Sequence, residues 1–157
     1  MKTKLASTAA ALALIAGLGL APVLSSAPAY AVDNMSSSDA PDLTSVRTKI
    51  KANDYAGALA ELRHLAEDVQ HADVYNLMGY TLRKTGDFKT SLTYYTKAIE
   101  MQPEHKAARE YLGELYVETG NMEKAKEQLA VLAKLCPGGC EEREDLQKAI
   151  NAKSASN

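Results

Sequence analysis

The residues best equipped for chemistry sit in one short stretch, KLCPGGCEE, at 134–142. It holds the chain's two cysteines, Cys136 and Cys140, around Pro137, Gly138 and Gly139. A redox pair usually reads C-x-x-C on a βαβ scaffold; here three residues separate the sulfurs. A closed metal site needs more ligands, and no histidine lies in the turn, although copper(I) accepts two thiolates. Outside the cytosol an isolated pair is first of all a disulfide candidate. The residues thus allow a structural clip, copper binding or thiol chemistry, and compartment and spacing favour the clip. Elsewhere His64, His71 and His105 are scattered and read as solvated surface histidines. Met78 and Met122 read as packing residues. No Gly-rich phosphate loop, nucleophile motif or H-E-x-x-H is present, so no catalytic residue, metal ligand or cofactor is predicted.

The start of the chain bears on the compartment. Lys2 and Lys4 precede an apolar run, LASTAAALALIAGLGLAPVL, which ends in APAYA. Ala29 and Ala31 form an A-x-A cleavage signal, so residues 1–31 read as a secretory signal peptide, with the mature chain starting near Val32. An uncleaved anchor is the alternative, because the run is nearly long enough to span a bilayer. With cleavage, no membrane attachment is expected. The signal has a bacterial look, which points to the periplasm or the cell exterior. Residues 32–41, VDNMSSSDAP, read as a flexible lead-in. With 18 basic and 20 acidic residues in a chain of 157, the net charge is −2. There is no basic patch interleaved with aromatics, so nucleic-acid binding is not indicated.

The elements that must position these side chains are repeats. Gly79 and Gly113, Gly86 and Gly120, and Pro103 and Pro137 each lie 34 residues apart. Between them the apolar and small positions correspond: Met78 with Leu112, Leu82 with Tyr116, Ser91 with Ala125, Tyr95 with Leu129 and Ala98 with Leu132. Each recurring type has a physical use. Gly79 and Gly113 allow the first helix of a pair (helix A) to approach its own second helix (helix B) closely. Ser91 and Ala125 are the small residues facing them. Gly86 and Gly120 supply a left-handed end to helix A, and Pro103 and Pro137 stop helix B. Phe88, Leu92, Tyr95 and Ile99 form one apolar helical face, and Met122, Ala125, Leu129 and Leu132 another.

This pattern resembles the tetratricopeptide repeat (TPR), a helix-turn-helix unit. Residues 72–105 and 106–139 make two full repeats. The second departs at Arg109, where a large apolar residue is usual. A degenerate repeat spans 42–71. Its NDYAGALAELRHLAEDVQ aligns at an offset of 33 with GDFKTSLTYYTKAIEMQP, and its helix A carries Leu43, Val46 and Ile50 but lacks the glycine. Residues 140–152 read as a capping helix, with Glu141, Glu142 and Glu144 favourable to its N-terminal dipole. A frayed tail is expected at 153–157.

The expected architecture is all-α: an antiparallel helix-pair solenoid of two full TPRs and one degenerate one, closed by a C-terminal capping helix. The resemblance implies a concave groove lined by helix A of each repeat. The family's ligand-contact positions fall on Asn76, Tyr80, Arg83 and Lys84 in one repeat, and on Glu110, Glu114, Val117 and Glu118 in the next. Tyr80 and Arg83 make an interface-type pair. Some TPR proteins grip chaperone C-termini through a Lys/Asn/Arg clamp; here Asn76 stands at the Lys position and Tyr80 at the Asn position, so that specificity is not implied. The expected function is a non-enzymatic, exported adaptor for a protein or peptide partner, acting in assembly of an envelope complex. A thiol or copper handler using Cys136 and Cys140 is one alternative, and a self-associating scaffold another.

Overall fold

Seven helices in chain order make up residues 40–156, the part described by the computed structural model. They are α1 (Thr44–Lys51), α2 (Tyr55–Asp68), α3 (Ala72–Lys84), α4 (Phe88–Met101), α5 (Lys106–Glu118), α6 (Met122–Leu135) and α7 (Glu141–Ala155). No strand occurs among the described residues. The signal peptide at 1–31 and the lead-in up to residue 39 fall outside them. The expected all-α helix-pair solenoid is what forms: α1–α2, α3–α4 and α5–α6 pair through short turns, and α7 packs on α5 and α6.

One turn, used three times, joins helix A to helix B. At the end of α3, Gly86 N–H donates to Arg83 O (3.0 Å) and Asp87 N–H to Leu82 O (2.9 Å). That is the Schellman arrangement, which satisfies carbonyls the helix end would orphan. α5 repeats it with Gly120 to Val117 (3.2 Å) and Asn121 to Tyr116 (2.7 Å), and α1 with Asn53 to Ile50 (3.0 Å) and Asp54 to Lys49 (2.9 Å). The motif needs a left-handed residue, and Gly86, Gly120 and Asn53 have φ of 87°, 81° and 59°. Asparagine tolerates that region better than most residues, which lets the degenerate repeat turn without glycine. The next residue then caps helix B: Asp54, Asp87 and Asn121 each accept a backbone N–H three residues on.

Packing follows the small residues. A Cβ at Gly79 would lie 2.6 Å from the Tyr95 ring of α4, and Ser91 Oγ donates to Gly79 O at 2.7 Å. Gly113 departs from expectation: the nearest atoms to its missing Cβ all belong to Leu146 of α7 rather than to α6. The residue matching Tyr95 there is Leu129, whose side chain is shorter, and the last helix fills the space. In α1, fully buried Val46 occupies the place of the glycine. Leu146 and Ile150 close the final core cluster with Val117, Ala125 and Leu132. α7 continues through Ala155, past the boundary expected at residue 152.

Candidate partner-binding groove

The A helices α1, α3 and α5 meet at a groove of about 160 Å³, lined by Arg47, Ile50, Lys51, Leu77, Tyr80 and Tyr111. Each helix presents matching register positions, because the repeat offset is 33 from α1 to α3 and 34 from α3 to α5. One row reads Arg47, Tyr80, Glu114; the next Ile50, Arg83, Val117; the third Lys51, Lys84, Glu118. The face therefore runs from basic on α1 to acidic on α5. Tyr80 and Tyr111 form its aromatic floor, with ring centroids 5.0 Å apart and planes at 54°.

Of the eight expected contact residues, the structure splits the set by burial. Tyr80 and Glu114 are half-buried, and Lys84 and Glu118 are exposed. Asn76, Arg83, Glu110 and Val117 are buried. Arg83 is thus not the open cation that an exposed Tyr–Arg pair would need. Its side chain is only 3% exposed. Nη2 donates to Glu114 Oε2 and Nη1 to Glu118 Oε1, both at 2.6 Å, with the guanidinium over the Tyr80 and Tyr111 rings at 5.6 and 5.7 Å. Burial works against this charge, but Tyr95, Glu114 and Glu118 outweigh it and hold the guanidinium above its ordinary pKa. The clamp ties one repeat to the next.

Glu110 is pushed up to about 8, first by burial and then by Glu114, Asp145 and Glu142. It is mostly a neutral acid at pH 7 and lies on the acidic side of the face, toward α7. Burial, followed by Glu110, raises the Tyr111 hydroxyl to about 12. Asn76 sits one turn before Tyr80 on the same face of α3, and its buried Oδ1 has no hydrogen-bond partner among the described residues.

Two further expectations are revised by the packing. His105 is no surface histidine: it is 9% exposed. Its Nδ1 accepts from Ala108 N–H at 3.2 Å as the α5 N-cap, and Nε2 lies 3.0 Å from Asp73 Oδ1. That bond, opposed by burial, holds the Asp73 carboxyl below its usual range. His71, 34 residues earlier, caps α3 in the same way through Asp73 N–H at 3.2 Å. His64 is solvated, its side chain 83% exposed. Arg109, the irregular residue of the second repeat, donates to Pro103 O at 2.7 Å and to Gln128 Oε1 at 3.1 Å, so it fastens the inter-repeat turn.

The cysteines are bonded to each other, with Cα atoms 6.0 Å apart, joining the C-cap of α6 to the N-cap of α7. The depression beside this turn, about 430 Å³, includes Gly138, Gly139, Arg143, Glu144 and Lys148 in its wall. Its charges are of both signs and it holds no aromatic. Among the described residues no group of three or more His, Cys, Asp or Glu is placed to hold a metal ion.

Arg47, Lys51, Leu77 and Tyr111 complete the groove without having been singled out from sequence, and Ile50, expected only on the apolar face of the degenerate repeat, joins them. The repeat register would have found Arg47, Ile50 and Lys51, as the α1 counterparts of Tyr80, Arg83 and Lys84.

Comparison with known proteins bears on this architecture. The family described as "Tetratricopeptide repeat" matches residues 76–139, while no curated protein matches the chain. Among solved structures, the chain is similar to the Yersinia enterocolitica type III secretion translocator chaperone SycD in an alternative dimer. The TM-score is 0.63 at 13% identity, covering 74% of this chain and 96% of that one. It is also similar to MamA, with a TM-score of 0.57 at 17% identity, covering 70% and 72%. At such identities these likenesses speak for the fold. Together with the matched segment, they show a tetratricopeptide-repeat architecture, with the family's repeat carried by residues 76–139.

Proposed function

We propose that this chain is a non-enzymatic binding module that holds a segment of a partner protein in the α1–α3–α5 groove. The observation that carries this reading is the half-open Tyr80–Tyr111 floor of the groove. TPR folds mostly serve as protein-binding surfaces, and the SycD likeness, a chaperone by its description, agrees with a partner-holding role. Three repeats offer a modest surface, so the complex is expected to be weak or transient. The secretory pattern of residues 1–31 and the Cys136–Cys140 bond support an exported protein in an oxidising compartment, for which assembly of an envelope complex is the proposed setting.

The test is cross-linking and pull-down from intact cells, with Tyr80→Ala run beside the parent. Arg83 is a poor probe, since Arg83→Glu would set a carboxylate against Glu114 and Glu118. A stoichiometric partner lost on Tyr80→Ala, with helical circular dichroism unchanged, supports the groove; a partner indifferent to Tyr80 refutes it. A self-associating scaffold is the second reading. It is favoured by Phe88, 38% exposed, which borders a shallow surface with Val117, Ala149 and Ala152. Light scattering across a concentration series separates the two.

A further inference from the structure

We propose that the groove selects acidic–apolar peptide segments: one apolar side chain packs on the floor of Ile50, Leu77, Tyr80 and Tyr111, and carboxylates flanking it pair with Arg47 and Lys51. This rests on the reading of the groove as a partner site and names the class of segment it takes.

Size is the first argument. Pockets for small molecules run to about 300–1,000 Å³, and the groove, about 160 Å³, has room for a side chain rather than for such a ligand. Its floor of Ile50, Leu77, Tyr80 and Tyr111 is apolar or aromatic, which calls for an apolar occupant.

Charge is the second. Arg47 and Lys51 are exposed at the rim, and among the described residues neither makes an ion pair. Among the described residues, acidic groups on the neighbouring helices have other partners. Glu61 bonds Lys49 at 2.6 Å and Ser45 at 3.0 Å. Asp73 is near enough to feel the Arg47 charge, but its hydrogen bond goes to His105. Glu114 and Glu118 are taken by Arg83. Lys84 adds a third cation, its Nζ 5.6 Å from the Tyr80 ring centroid. An incoming carboxylate therefore finds cations on α1 and α3 without displacing an internal partner.

Direction is the third. Along the A helices the register rows change from Arg47 and Lys51 to Glu114 and Glu118, and Glu142 and Asp145 of α7 extend the acidic end toward Glu110. Acidic residues of the segment are drawn to α1 and repelled from α5 and α7, so the segment sits toward the α1 end of the groove.

The experiment uses the chain in the form the producing cell accumulates, and four sets of short fluorescent peptides. Three share one Leu or Phe, flanked by Asp/Glu, by Ser/Asn or by Lys/Arg; the fourth is acidic without the apolar residue. Two exposed ion pairs, each worth up to about 1 kcal/mol, correspond to a preference of several-fold and at most about 30-fold. The acidic–apolar set should bind that much tighter than the neutral set, and less so as salt screens the pairs. Arg47→Gln/Lys51→Gln should bring the acidic set down to the neutral one, and Tyr80→Ala should weaken every set that carries the apolar residue. Equal binding of the three apolar sets, still lost on Tyr80→Ala, leaves the groove standing and overturns the acidic class. A preference that survives the double substitution overturns it too, as does equal binding of the acidic set without Leu or Phe. If no set binds, both the groove and its selectivity fall.

Discussion

Arg83 shows how a side chain that looks like a contact residue becomes a fastener. Its fork holds Glu114 and Glu118, 31 and 35 residues away, with two aromatic faces beneath it. Removing one partner of a buried pair costs more than the pair contributes net, because the remaining charge is stranded. Here the glutamates are partly open to water and can rehydrate, so Arg83→Met is expected to lose about 1–3 kcal/mol, below the range for fully buried pairs. A double-mutant cycle with Glu114→Gln in urea unfolding should show a coupling of about 0.5–3 kcal/mol; additivity would mean that the clamp carries no stability. Glu110 makes a prediction of opposite sense. Its carboxyl titrates near 4.5 when free and near 8 in the fold. Folding therefore favours the protonated form. Its contribution is fully present below pH 4.5, is lost as the pH rises toward 8, and stays lost above. Glu110→Gln should match the parent at acidic pH and exceed it above pH 8, by about 1–3 kcal/mol at 1.36 kcal/mol per unit with discount for relaxation. Melting curves across pH check this, and a gap independent of pH would refute it.

At the scale of the element, the hinge of each pair is a Schellman turn whose last residue is also the next helix's cap. The left-handed position tolerates glycine and, at a modest penalty, asparagine. Gly120→Ala should cost about 1–2 kcal/mol, the usual penalty for a Cβ in that region, while Asn53→Gly should be neutral or slightly stabilising. Thermal melts of the two variants decide it, and an Asn53→Gly loss as large as that of Gly120→Ala would show that Asn53 acts through its side chain. The same scale explains the histidines. His71 and His105 recur at the repeat offset because both cap an A helix, and His105 is further buried by its bond to Asp73 in the first turn of α3.

For the whole molecule, the open question of any solenoid is how it ends. α7 covers the last repeat through Leu146 and Ile150, with Leu146 seated over Gly113, and the Cys136–Cys140 bond joins it to α6. Closing so short a loop is worth about 2 kcal/mol in the chain-entropy model. Cys136→Ser/Cys140→Ser should therefore lower the melting temperature by several degrees, raise hydrogen exchange in α7 first, and leave partner binding at Tyr80 intact. Loss of binding with the fold retained would instead assign the cysteines a direct role.

What the sequence determined by itself was whatever repeats or acts over a short span. The 34-residue spacing of Gly86 and Gly120 announces the turns, Pro103 and Pro137 announce the helix ends, and the apolar stripes announce a helix-pair solenoid, because capping and periodicity depend on neighbours within a few residues. The 33-residue offset even held Arg47 and Lys51 in plain view. The tertiary structure alone decided which charges survive to meet a partner. Arg83, Asn76 and Glu110 occupy the same kind of position as Tyr80 and Lys84, yet stacking buries the first three, and the carboxylates that neutralise Arg83 come from the next repeat. Likewise only the packed chain shows Leu146 rather than Leu129 against Gly113, and His105 against Asp73. Burial and ion pairing depend on side chains brought together from more than thirty residues apart, and local spacing carries no record of that encounter.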